Sequence, residues 1–249
     1  MNPINIDIVI LSFAKDDSLK ALTEEAVKTV LESENSNLIK FNVYVIESNK
    51  DLKPYQYLNS TTIYPRQKFG YNRYMNIGIT AGKSQYICLC NNDLIFHKNW
   101  ASEILNSFED RELLSANSFC ELYAYRETVN NGPLVMSNLD YPNTHGILTG
   151  WCIMVKRDLF KIIGPLDERF RFWYADNDYQ LTLDKFKIKH ALIKTSKVSH
   201  LGNMSHHTLE EKLDNYTIKQ KKVFEIKWKY GSTLNYYYSR IIYRLKTLK

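Results

Sequence analysis

The sequence lacks most of the short motifs that would announce a function. Its four cysteines (Cys88, Cys90, Cys120 and Cys152) form no CxxC pair, which removes zinc-ribbon and dithiol redox motifs. Cys88 and Cys90 lie two apart on a predicted strand and suit buried free thiols, so no structural metal is expected from them. No apolar run approaches the ~18 residues of a membrane span. Asn5 and Asp7 interrupt the apolar residues of the N-terminus, so no signal peptide is read and a cytoplasmic location is expected. Neither an internal repeat nor a low-complexity linker divides the chain. No GxGxxG occurs, and GITAGKS (78–84) has three residues between its glycines where a phosphate loop has four. It also precedes a strand instead of following one. DNDYQLTLDKF (176–186) lacks the turn glycine of a calcium loop.

What is present is enough for a full core. The 249 residues are 44% hydrophobic, which suits one large α/β domain or a domain with a small appendage. The net charge is +6, and nine Lys or Arg against Glu225 alone put +8 on residues 215–249. The remaining body is near neutral. The expected division is therefore a domain over 1–210 and a basic helical extension over 211–249 packed on it.

The apolar run IDIVILSF (6–13) reads as a buried parallel strand. Asp16, Asp17 and Ser18 can cap a helix carrying Leu19, Leu22, Ala26, Val30 and Leu31 at helical spacing. FNVYVIES (41–48) is a second strand, Asn72–Ala81 a second helix, and YICLC (86–90) a third strand. This alternation predicts a Rossmann-like, doubly wound sheet that receives ligands beyond its strand carboxyl ends. Residues 110–145 read as loops and short strands. GILTGWCIMVKRDLF (146–160) reads as a strand followed by a helix start, 170–186 passes from aromatics into acids and a helix, and 189–202 is a late strand ending near His200.

Glu47, Asn91, Asn92, Asp93, Asp176, Asp178 and His200 fall at such strand ends and helix starts. Taken singly, each is more simply a cap, a strand terminator or a surface residue. Their order along the chain carries more information. IVILSFAKD, VIES, GYNRYMNIG with Gly70, Asn76 and Gly78, the NND triplet 91–93, the stretch from TGW through GPLDERF to YADND, and His200 followed by Ser205 succeed one another as in one family. The chain resembles the family 2 inverting nucleotide-sugar glycosyltransferases of GT-A fold, over about residues 6–205. It departs from their pattern at Glu47, where aspartate is more usual, at Asn91, where the triplet lacks its first carboxylate, and at Ala175, which replaces the Glu of an acidic pair.

The resemblance implies a mixed sheet with flanking helices and a site for a nucleotide-sugar donor, a UDP-sugar by expectation. It implies donor contacts from Ser12, Phe13, Glu47, Gly70, Arg73, Asn76, Asn91, Asn92 and Trp151. Mn²⁺ or Mg²⁺ is expected on Asp93 and His200, where it can neutralise the departing diphosphate. Asp176 is the candidate base that deprotonates the acceptor, with Asp178 as the fallback. Trp151, Trp173 and Tyr174 suit either ring stacking or core packing. The acceptor stays open: a glycan or lipid-linked saccharide is the first choice, and hydroxymethylated DNA is an alternative that the basic tail suits. A non-catalytic nucleic-acid-binding module is the reading from another class. In the tail, Leu234, Tyr237, Tyr238, Ile241, Leu245 and Leu248 form one helical stripe beside Arg240 and Arg244. That stripe fits packing on the domain, a membrane surface or a nucleic acid.

Overall fold

The computed structural model describes residues 2–111, 113–120, 134–136, 148–202 and 213–247. Strand β1 (Ile4–Ser12) leads to helix α1 (Asp17–Glu32), β2 (Ile39–Glu47), β3 (Thr61–Ile63), α2 (Tyr71–Ala81), β4 (Tyr86–Asn91), β5 (Leu94–Phe96) and α3 (Trp100–Arg111). Next come β6 (Ser115–Phe119), β7 (Leu134–Met136), β8 (Cys152–Lys156), α4 (Leu159–Ile163), α5 (Ala175–Lys185) and β9 (His190–His200). The chain continues through α6 (Leu213–Glu225), a π-helical turn (Ile226–Tyr230) and α7 (Thr233–Thr247). Ser205, Leu248 and Lys249 lie outside the described residues.

Among the described residues nine strands form one sheet in the order β3-β2-β1-β4-β8-β6-β9-β5, with β7 also paired to β9. The first four run parallel, β8 lies antiparallel to β4 and β6, and β6 runs parallel to β9. The long β9 serves three neighbours, with β7 pairing antiparallel over Ala191 to Ile193. Its start, from His190, pairs with β6, and its end, Val198 to His200, pairs antiparallel with β5.

Both faces of the sheet are covered, as the uninterrupted apolar runs predict. Ile6, Ile8 and Ile10 pack with Val27 and Val30 of α1 and with Trp100, Ile104 and Phe108 of α3. Val9 and Leu11 join the opposite core, with Tyr74, Met75 and Ile79 of α2 and Tyr179 and Leu183 of α5. The Asp16 carboxylate accepts from Leu19 N at 3.0 Å and so begins α1 where the sequence places it. Helix α2 lies very close to the sheet, since a Cβ on Gly78 would fall 2.1 Å from Val9 Cγ1.

The segment that imitates a phosphate loop is therefore a packing device. A Cβ on Gly82 would meet Asp7 Oδ2 at 2.1 Å. The buried Asp7 carboxylate accepts from Ser84 N (2.8 Å), Ser84 Oγ (2.7 Å), Asn42 Nδ2 (3.1 Å) and Arg157 Nη2 (2.5 Å). Four donors fill its acceptor positions, which is how a buried charge becomes tolerable.

The strand expected from residue 146 begins at Cys152, because the preceding residues turn. Asn117 Nδ2 donates to the carbonyls of Thr149 (2.9 Å) and Cys152 (3.0 Å), fixing a turn at Gly150 and Trp151. Cys88, Cys90 and Cys152 meet nearby, with Sγ–Sγ distances of 3.3 and 3.7 Å, and all four cysteines are free. Burial pushes the Cys88 and Cys90 thiols up, so they pack as neutral groups.

Asn117 is itself held by His190, whose Nε2 donates to Asn117 Oδ1 at 2.7 Å while Nδ1 accepts from Ser115 Oγ at 2.9 Å. Burial pushes the His190 imidazole down to about 3 from an ordinary 6.5. The unfolded chain thus takes up a proton below about pH 6.5 that the folded chain refuses, and stability falls as pH falls through that window. Chemical denaturation at pH 7 and pH 5 should show a loss of about 2 kcal/mol from this group. His190→Gln should remove that part of the slope, and an unchanged slope would exclude His190 as its source.

Candidate functional site

The carboxyl ends of β1, β2 and β4 are joined by one chain of side chains. Asn92 Nδ2 donates to Thr23 Oγ1 (2.9 Å), the Thr23 and Ser12 hydroxyls meet at 2.9 Å, and Ser12 Oγ donates to Glu47 Oε2 (2.6 Å). Tyr57 OH also donates to Oε2 (2.8 Å), while Asn49 N (2.7 Å) and Ala14 N (3.2 Å) donate to Oε1. Glu47 is fully buried, and its four acceptor positions are taken. It shapes the loop after β1 from within. Ser12 and Asn92 are likewise buried and bonded inward, whereas Phe13 is exposed on that loop.

The next layer surrounds Asp93. Antiparallel pairing of β5 with the end of β9 sets Leu94 opposite His200, and Leu201 N donates to the Asp93 carbonyl at 2.9 Å. This brings His200 Nε2 to 3.0 Å from Asp93 Oδ1, with both side chains more than nine-tenths buried. Trp151 stacks on the imidazole, ring centroids 5.7 Å apart and planes within 16°. Trp151 O accepts from Asn91 N at 2.9 Å, tying this turn to the end of β4. The Trp151 Nε1–H is buried without an acceptor among the described residues, an uncommon condition for a native donor.

Gly150 connects this pair to Asp176. Its carbonyl accepts from Tyr71 OH at 2.7 Å, and a Cβ there would stand 3.2 Å from Asp176 Cβ. Burial pushes the Tyr71 hydroxyl well up, and the charges of Asp176 and Asp93 push it the same way, so the phenol lies within electrostatic reach of both. Asp176 is half-buried in the first turn of α5, and its Oδ1 accepts from Asn177 N at 2.9 Å. Tyr174 precedes it at φ 64°, a left-handed conformation that costs a bulky residue free energy and that clusters at functional sites.

The two acids of YADND part company. Asp178 is buried and bonded to Lys227 Nζ at 2.8 Å and Trp228 Nε1 at 2.7 Å. Burial pushes its carboxyl above the usual range against the pull of Lys227 and Trp228. Lys227 also reaches Asp167 at 2.9 Å; burial opposes it, but Arg169 and Lys227 hold that carboxyl well below the usual range. Asp178 thus anchors the tail to the domain.

The remaining predicted donor contacts gather on residues 166–171. Asn76 exchanges two hydrogen bonds with the Leu166 backbone, at 2.9 and 3.0 Å, and Arg73 Nε meets Glu168 at 2.8 Å. Gly70 caps α2 with extended backbone, and Tyr71 N donates to the Arg171 carbonyl at 2.7 Å. Together they fasten the segment that leads into Asp176. Sequence reasoning missed Tyr57, Tyr71, Gly150 and Thr23. The Thr-Gly-Trp stretch reads in the sequence as part of a strand, and its pairing with Asp176 depends on a contact 26 residues away along the chain.

Neither a protein-family model nor a curated protein matches the chain in sequence. Solved structures do match in fold. One is GalNAc-T7 crystallised with UDP, GalNAc and Mn²⁺, with TM-score 0.57 and 12% identity over 80% of this chain and 44% of that one. Another is the catalytic domain of Drosophila β1,4-galactosyltransferase 7 in complex with xylobiose, with TM-score 0.50 and 13% identity over 82% of this chain and 73% of that one. The chain spans less than half of the first of these. At such identity the likeness is one of fold, and the mixed α/β sheet described above is of the GT-A-like type.

Replacing Glu47 by Gln turns one acceptor oxygen into a donor, which at Oε1 faces the Asn49 and Ala14 N–H groups and at Oε2 makes the Ser12 and Tyr57 hydroxyls turn to accept. It should lower stability by about 2–3 kcal/mol, with a parallel drop in melting temperature. Unchanged stability would mean that the four bonds to Glu47 do not organise the loop after β1.

Proposed function

We propose that the chain transfers a sugar from a nucleoside-diphosphate donor, a UDP-sugar, to a saccharide hydroxyl with inversion. The observation that carries this reading is the buried Asp93–His200 pair beyond the carboxyl end of β4, joined to Asp176 through the Gly150–Trp151 turn. The pair suits a divalent ion. Asp93 Oδ1 and His200 Nε2, hydrogen-bonded to each other at 3.0 Å, are an anionic oxygen and an imidazole nitrogen that would turn together to a shared cation. A carboxylate with an imidazole favours a Mn²⁺-like ion over Mg²⁺. When bound there, that ion would neutralise charge developing on the diphosphate.

The side chains divide the remaining work. Asp93 and His200 hold the ion. Trp151 offers its unpaired Nε1–H to an oxygen of the donor, and Asn91 supplies a neutral amide that adds no charge beside a diphosphate. Ser12, Glu47 and Asn92 fix the loop that carries Phe13, so they act on the donor through position. Asp176 takes the acceptor's proton as the hydroxyl attacks. The reading of inversion rests on Asp178, which Lys227 and Trp228 hold in place. With Asp178 committed to Lys227 and Trp228, Asp176 serves as base without a second carboxylate beside it among the described residues, and a single displacement results. Holding donor and acceptor in register supplies much of the rate.

Asp93→Asn should abolish metal-dependent UDP affinity in calorimetry while leaving circular dichroism unchanged; metal-dependent affinity that survives would remove Asp93 from the site. Asp176→Asn should keep donor affinity and lose ~10²–10⁴ in turnover, whereas Asp178→Asn should lose about 2 kcal/mol of stability and less activity. Labelled-sugar transfer should be assayed on oligosaccharides, lipid extract and hydroxymethylcytosine DNA, with NMR of the product anomer. Retention in the product would overturn the single displacement. Absence of both UDP binding and donor hydrolysis would favour the non-catalytic reading.

A further inference from the structure

Helix α7 presents its apolar side to solvent. Leu234 (83% exposed), Tyr237 (50%), Tyr238 (67%), Ile241 (56%) and Leu245 (59%) share one stripe, as their spacing at ~100° per residue requires. The residue that anchors the helix is Tyr236, 7% exposed, which lies roughly 160° around the helix from the centre of that stripe. Tyr236 packs edge-on against Tyr230 at 5.3 Å and lies under Lys222 at 5.5 Å, and Arg240 donates to its hydroxyl at 3.2 Å. Gly231, at φ +70°, sets the angle at which α7 leaves the π-helical turn.

The helix is thus held at Tyr236, opposite the centre of its apolar stripe, and at one edge of the stripe by Tyr237, whose hydroxyl accepts from Lys222 Nζ at 2.6 Å. That is the reverse of a terminal helix packed on its own domain, where the stripe faces inward. Its composition narrows the occupant. Residues 226–247 contain five Lys or Arg and no acid, and Arg244 and Arg240 follow one edge of the stripe. Tyr237 and Tyr238 on the stripe carry an apolar ring with a polar tip, the type that settles at the headgroup level of a bilayer. A nucleic acid would use the cations but leave Leu234, Ile241 and Leu245 in water.

We propose that α7 lies in the plane of an anionic membrane surface, with Leu234, Tyr238, Ile241 and Leu245 in the acyl boundary and Arg240 and Arg244 at the lipid phosphates. The full chain should float with phosphatidylcholine/phosphatidylserine vesicles and more weakly with pure phosphatidylcholine vesicles. Ile241→Asp with Leu245→Asp should abolish flotation. Arg240→Gln with Arg244→Gln should lower partitioning on the anionic vesicles on the order of 30-fold, with less effect on the neutral ones. As a second readout, Tyr238→Trp fluorescence should be quenched by brominated lipid, and Tyr243→Trp, on the opposite side of the helix, should be spared.

Three results would overturn the assignment. One is failure of the full chain to float with anionic vesicles. Another is flotation that the paired Asp variant leaves unchanged. The third is a dimer in sedimentation velocity that this variant dissolves, which would give the stripe to a second copy of the chain. Flotation reads no catalysis, so its outcome leaves the transferase proposal to be tested by its own experiments.

Discussion

A sheet covered on both faces has little room for polar chemistry, inside its strands or at their ends. Every carboxylate placed there is removed from water and must be met by donors or by a cation. Asp7 and Glu47 show the first solution, each with four donors around two oxygens. Both are thereby committed to the fold. Asp93 shows a different solution: among the described residues an imidazole faces it in a buried site, and the neighbouring Trp151 has a donor to spare. The distinction between a structural acid and an acid offered to a ligand is here a distinction in how many acceptor positions the protein has already filled.

The same constraint explains how much could be read in advance. The strands ending at Ser12, Glu47 and Asn91, the Asp16 cap and the late strand to His200 are written in local periodicity and in residues adjacent along the chain. The NND triplet and His200 could be singled out because they interrupt or end such runs. The role of Glu47 could not, since its satisfaction depends on Ser12 and Tyr57, which only the folded sheet brings near. The separation of Asp176 from Asp178 was legible in principle. Two residues along a helix turn a side chain by roughly 200°, so one of the two faces Gly150 while the other faces Lys227 and Trp228.

The tail reaches into this geometry through α6. Phe224 packs against Tyr174 at 5.1 Å and Phe170 at 6.4 Å, while Gln220 accepts from Arg171 N at 2.7 Å and donates to the Arg169 carbonyl. These contacts surround the turn in which Tyr174 takes its left-handed conformation, at a cost on the order of 1–3 kcal/mol. The strain persists because the packing around it leaves the chain no other course. Asp176 owes its direction to residues nearly fifty positions further on, from a segment that looks like an appendage when only its charge is counted.

Gly78 has a consequence of a different kind. With Val9 lying where its side chain would be, α2 rests on β1 as a beam rests on a pivot, and seven residues away the same helix carries Tyr71. A single methyl at the pivot would lift the beam, and the Tyr71 hydroxyl would pull on the Gly150 carbonyl it holds. Because Gly150 lies against Asp176 and is followed by Trp151, the displacement would arrive on both sides of the site at once. One hydrogen atom in the core thus sets the tolerance to which the two halves of the proposed reaction centre are aligned.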